Sequence, residues 1–229
     1  MENGNGFSGP GNMPALQDIV NSSREKIWHP FFHKLQYEDG PALLAAFGQR
    51  AYVEFFTTLP ADMNLCNLHS AGQLPFAYGL DGWALDINVD DRFYDDPHYY
   101  QVNKIMREHG RFEVRCRDNN EVFNAPASLV PPATGYGTSM ATTQTASQSA
   151  HYQSGVPHLR NYWRPGGPDP AMGIMLERKE NIVARFHLDA YGLAFLTMAF
   201  GGESPNYTLS DQGAQLEARL FGYGFRKMG

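Results

Sequence analysis

Hydrophobic and polar positions change period several times along this chain, and the changes divide it into short elements. Trp83, Leu85, Ile87 and Val89 alternate strictly with Ala84, Asp86, Asn88 and Asp90, the period of a strand with one face buried. Phe112, Val114 and Cys116 alternate in the same way with Glu113, Arg115 and Arg117. Asn119-Asn120 then offers a turn before Val122 and Phe123, which predicts a hairpin. Phe31 to Tyr37 is rich in aromatics, and Arg50 to Thr58 is a β-branched and aromatic run ended by Pro60. Gly173 to Glu177, Asn181 to Leu188, Leu193 to Phe200 and Leu216 to Phe225 predict further strands, with Gly201-Gly202 and Ser204-Pro205-Asn206 as turn signals. Helical spacing occurs twice. Leu16, Ile19, Val20 and Ile27 behind Pro14 predict a short amphipathic helix over Ala15 to Lys26. Val102, Ile105, Met106 and His109 predict another over Pro97 to His109, ended by Gly110.

Many short strands, Gly/Pro turns and a minority of short helices indicate an all-β sandwich or barrel. At 229 residues the chain suits one large domain with a substantial core. The reading divides it into residues 1–28, an N-terminal arm and short helix, and residues 29–229, a single β-sandwich domain. Met1 to Met13 is Gly- and Asn-rich, the composition of a flexible arm. A long inter-strand excursion is expected over 124–170, closed by the rigid NYWRPGGPDP connection at Asn161 to Pro170. From Val122 to Leu159 there is no Asp, Glu, Lys or Arg. Such a stretch is too poor in large aliphatics to make its own core, yet lacks the charges that keep a linker solvated. It therefore points to contact with another chain.

Composition narrows the function classes. The chain is 42% hydrophobic, so it is not a disordered polymer, while only 18% of residues are charged, below the usual quarter. Low charge suggests a surface partly covered by neighbours. A net charge of −6 and only five Lys argue against a protein that neutralises phosphates, despite local basic groups at Arg160, Arg164 and Arg226-Lys227. The N-terminus lacks an apolar signal region, and the apolar run Tyr191 to Phe200 is much too short for a membrane span. Cys66 and Cys116 do not have the spacing of a zinc site.

Candidate chemistry is sparse. Asp90, Asp91, Asp95 and Asp96, with His98, are the weak metal candidates: several oxygen ligands on one loop suit a hard cation such as calcium, but the EF-hand spacing is missing. A solvated acidic loop explains the same residues. His29 and His33 stand four apart, a spacing that unites two imidazoles only on a helix, and Pro30 argues against one. No G-x-S-x-G elbow occurs, and GYGTS at Gly135 to Ser139 lacks a phosphate-loop Lys. Glu177 and Glu180 are acids available to a glycosidase mechanism, with nothing to set them above the other carboxylates. The reading is therefore of a protein that is not an enzyme and needs no cofactor.

The segment FFTTLPADMNLCNLHSAGQLPFAYGLDGWALDINVD, Phe55 to Asp90, resembles a pattern in the jelly-roll major capsid proteins of tailless icosahedral bacteriophages. There, a short Asn-containing connection leads to a Gln-Leu-Pro turn and then to a strand of the sandwich. The ending LEARLFGYGFRKMG, Leu216 to Gly229, is similar to the closing strand and basic tail of such proteins. The two segments cover about a quarter of the chain. The resemblance implies a single jelly-roll-like antiparallel β-sandwich with short helical excursions and an arm ordered by neighbouring subunits. It implies a capsid subunit, located in the virion and assembled in the host cytoplasm, whose partners are copies of itself and other virion proteins. An internal viral membrane belongs to the same implication, while the charge balance gives no expectation of sequence-specific nucleic-acid binding.

Expected assembly contacts are Phe7, Tyr136, Tyr152, Tyr162 and Trp163, because aromatics anchor protein interfaces. Local packing on the Pro-rich turn is the competing explanation for Trp163. Two other functions compete: a carbohydrate- or receptor-binding β-sandwich module, and a β-scaffold hydrolase.

Overall fold

A computed structural model describes residues 24–48, 50–89, 97–117, 120–131, 174–200 and 214–227. The described strands are β1 (Arg24–Trp28), β2 (Phe31–Tyr37), β3 (Tyr52–Phe55), β4 (Ala77–Val89), β5 (Gly110–Cys116), β6 (Asn120–Pro126), β7 (Ile174–Leu176), β8 (Ile182–Leu188) and β9 (Ala214–Lys227). The helices are α1 (Gly40–Phe47), α2 (Pro97–Glu108) and α3 (Ala190–Phe200), with a 3-10 turn at Ala127–Leu129.

The strands form two antiparallel sheets. In the first, β9 is flanked on one side by β1 and β2 and on the other by β4, which then pairs with β7. The second has the order β3-β8-β5-β6. The pairings are nested: β2 with β9, β3 with β8, β4 with β7, β5 with β6. A chain that pairs in this way is one long hairpin wrapped into two sheets, and the β4·β9 and β5·β8 pairings close them. This is the strand order of a jelly roll. The protein is an all-β, jelly-roll-like sandwich.

Alternation of side chains builds the core between the sheets. Trp83, Leu85 and Ile87 of β4, Leu216, Ala218 and Leu220 of β9, Phe112 and Val114 of β5, and Ala184 and Phe186 of β8 are all buried there. Each large side chain removed from water stabilises the fold by about 1.5–3 kcal/mol before the entropy of ordering is counted. Cys66 and Cys116 are buried free thiols. Gly222 sits beside the register shift between Leu80 and Gly82, where an added Cβ would come within 2.1 Å of the Gly79 carbonyl oxygen. Only glycine allows the strands to approach so closely there.

Two elements differ from the periodicity reading. Leu193 to Phe200, expected as a strand, lies within helix α3. Its apolar residues run on nearly every position, so they carry no period of two, and Ala, Leu and Met favour a helix once Asp189 caps it. Arg24 to Lys26, expected at the end of a helix, belongs to β1, where β9 supplies the hydrogen-bonding partner. The remainder of that expected helix and the neutral excursion beyond Pro131 lie outside the described residues. Helix α1 carries no expectation from periodicity; Asp39 caps it, accepting from the Ala42 amide at 2.7 Å, and Pro41 occupies the first turn.

The connections β2–β3, β4–β5, β6–β7 and β8–β9 carry the helices and the 3-10 turn. These gather together: α1 packs on α3, and α2 meets both α3 and the 3-10 turn. The β3–β4 connection instead lies against the β7–β8 turn, through Leu74 N–H to the Glu180 carbonyl at 3.3 Å and Ile182 N–H to the Gly72 carbonyl at 2.8 Å.

Candidate functional site

At the helical end, α3 buries Gly192, Leu196, Ala199 and Phe200 and turns Tyr191, Ala194, Thr197 and Met198 outward. Its sequence AYGLAFLTMAF contains no charge, so the outward face is as uncharged as the buried one. Tyr191 is 60% exposed, Met198 54% and Leu129 of the 3-10 turn beside α2 63%. Helices with apolar residues all round are normally covered on all sides. Among the described residues, this one is covered on one side only.

Asp189 fixes the helix in place. One carboxylate oxygen accepts from the Gly192 amide at 2.8 Å, while the other lies 2.9 Å from His109 Nδ1. The His109 ring packs against the Tyr191 ring with centroids 4.5 Å apart. Desolvation pushes the Asp189 carboxyl up, but the Gly192 and His109 hydrogen bonds outweigh it and hold the group below the usual carboxylate range. The clamp thus joins the end of α2 to the start of α3.

The outer face of the second sheet carries alternating charges across its four strands. Register sets Glu54 opposite Arg185, Arg185 opposite Glu113, and Arg115 opposite Glu121. Arg185 reaches Glu54 at 2.8 Å, Arg115 bonds Glu113, and His187 Nε2 lies 2.7 Å from the second Glu113 oxygen. Glu113 is only 3% exposed although it stands on an outer face. Its desolvation raises the carboxyl, and the His187 and Arg115 hydrogen bonds and charges more than offset this. The outer face of the first sheet is likewise built on buried carboxylates: Asp86 stands opposite Glu217, which Arg219 holds at 2.6 and 2.8 Å. A buried ion pair adds little net stability, whereas removing one partner leaves an uncompensated buried charge and is strongly destabilising.

The sequence candidates distribute unevenly over this structure. Phe7, Tyr136, Tyr152, Tyr162 and Trp163 lie outside the described residues, as do Asp90, Asp91, Asp95 and Asp96. Among the described residues no three His, Cys, Asp or Glu side chains come together as a metal site. His29 and His33 are separated by the geometry of extended chain: His29 packs on Phe31 and Phe76, whereas His33 accepts from the Phe56 amide inside the core. Glu180 accepts from the Glu177 amide at 2.8 Å, so that pair closes a turn. Tyr191, Met198 and Leu129 are the surface residues that periodicity missed. The available signal was an uncharged run too long and too evenly apolar for a strand with one solvated face.

No helix among the described residues is long and apolar enough to cross a membrane. The chain matches no protein-family model, no curated protein and no solved structure.

Proposed function

We propose that the protein is a structural virion subunit, a bacteriophage capsid protein that self-assembles into an icosahedral shell. The observation that carries this reading is the uncharged outward face of α3, set at the helical end of a jelly-roll sandwich. Jelly rolls of this strand order recur in viral capsids and also in lectins and cupins, so the fold alone does not choose among them. The choice rests on the surface. An exposed apolar helix face suits burial between copies, with the charged sheet faces orienting the contact. The low overall charge and the neutral excursion from Val122 to Leu159 fit the same assembly.

Many weak contacts of this kind multiply over a closed shell, so each interface need not be strong alone. Partners are copies of this chain and other virion proteins. The test is negative-stain and cryo-electron microscopy of the purified protein, alone and with its companion virion proteins. Rings, sheets or shells are expected. A product that stays monomeric under all these conditions, while binding a glycan array, would overturn this reading in favour of a carbohydrate-binding sandwich.

A further inference from the structure

A depression of about 290 Å³ opens at the far end of the second sheet from the helices. Thr57, Ala71 and Gly72 of the β3–β4 connection wall one side, and Arg115, Arg117 and Asn181 form the other. Arg115 stands on the outer face of β5, and Arg117 follows the last strand residue, Cys116, with φ of 56°, a left-handed turn off the strand from which its side chain reaches the Met175 carbonyl. Asn181 is brought alongside because its carbonyl accepts from the Arg117 amide at 3.0 Å.

The lining is one-sided chemically. It presents two guanidinium groups, a hydroxyl and a carboxamide beside the apolar Val183, and among the described residues it contains no carboxylate. The acids that pair with these arginines stand outside the lining: Glu113 bonds Arg115, Glu121 lies 3.7 Å from Arg115 Nη2, and Glu180 lies 3.5 Å from Arg117 Nε. Arg117 is also held by its Nη2, which donates to the Met175 carbonyl at 2.7 Å. These partners hold both guanidinium groups in position, so a ligand meets a receptor already ordered. The volume lies at the low end of the roughly 300–1,000 Å³ typical of ligand pockets, which suits a monosaccharide or a single phosphate.

We propose that this depression binds a small oxyanion-bearing ligand, its carboxylate or phosphate held by Arg115 and Arg117 with Thr57 and Asn181 as further hydrogen-bonding groups. The site is remote from α3 and stands whether or not the protein assembles.

Isothermal titration of the full-length protein with sodium phosphate, with glucuronate and with glucose tests it, since heat per subunit can be read in any oligomeric state. Saturable binding of phosphate or glucuronate, and none of glucose, is expected. Saturation by phosphate alone assigns a phosphoryl ligand, and saturation by glucuronate alone an acidic sugar. Ala71→Asp places a carboxylate in the lining at an exposed position, leaves Glu113, Glu121, Glu180 and the Met175 carbonyl untouched, and should weaken binding at least about tenfold. Arg117→Gln should do the same. Absence of saturation by both anions, equal binding of glucose, or unchanged affinity in Ala71→Asp overturns the proposal.

Discussion

His33 shows how much one side chain is asked to do in a core of this kind. It is 2% exposed, and its Nδ1 accepts the Phe56 amide at 2.6 Å, which leaves the ring proton on Nε2. Phe56 has φ of 71°, an unusual conformation for a bulky residue, and its carbonyl is bound by the Gly72 amide at 2.6 Å. His33 thus pins a strained turn at the end of β3. Cys66, its cross-strand neighbour, supplies no countercharge because burial pushes its thiol up. Burial likewise lowers the His33 pKa from 6.5 to about 4. Below 6.5 the unfolded chain takes up a proton that the folded chain refuses, so this contribution is complete above that pH and is lost as pH falls toward 4. Urea unfolding should register a loss of about 2 kcal/mol from this group between pH 7 and 4.5. In His33→Asn, which keeps an acceptor but cannot titrate, the slope over that window should flatten; an unchanged slope would show that other groups cause it.

Among the elements, α3 separates what periodicity can read from what it cannot. β2, the core-facing half of β4, the β5–β6 hairpin and β8 follow from alternation because each has one face on the core. Helix α3 gives alternation nothing to work with, since its outward face is as apolar as its buried one. Its existence depends on a cap and on packing against α1 and α2. Asp189→Ala should lower stability by about 1–2 kcal/mol, measured by chemical unfolding, because it removes the Gly192 cap and the His109 contact together. Asp189→Asn, which retains an acceptor for the amide, should recover about half of that loss or more. Equal losses in both variants would locate the effect in the His109 contact alone.

For the whole molecule, the governing quantity is how the surface is divided. Matched charge pairs cover the outer sheet faces, while the helical end, which carries the Lys104–Glu108 pair on α2 and the His109–Asp189 clamp, exposes the uncharged helix α3. Met198→Lys adds a charge at an exposed position where no core contact is lost, so the melting temperature of the monomer should stay within a degree or two while assembly seen by microscopy is lost. Assembly unaffected by this charge would remove α3 from the interface. The sequence by itself determined the β class, the core faces of the regular strands and the low-charge character, since each depends on local period or on composition. Tertiary structure decided the nested pairing, the gathering of three helices at one end, the joining of Arg115, Arg117 and Asn181 around one depression, and the burial of Glu113 on an outer face. Those depend on contacts between residues tens of positions apart, and such contacts leave no period in the chain that makes them.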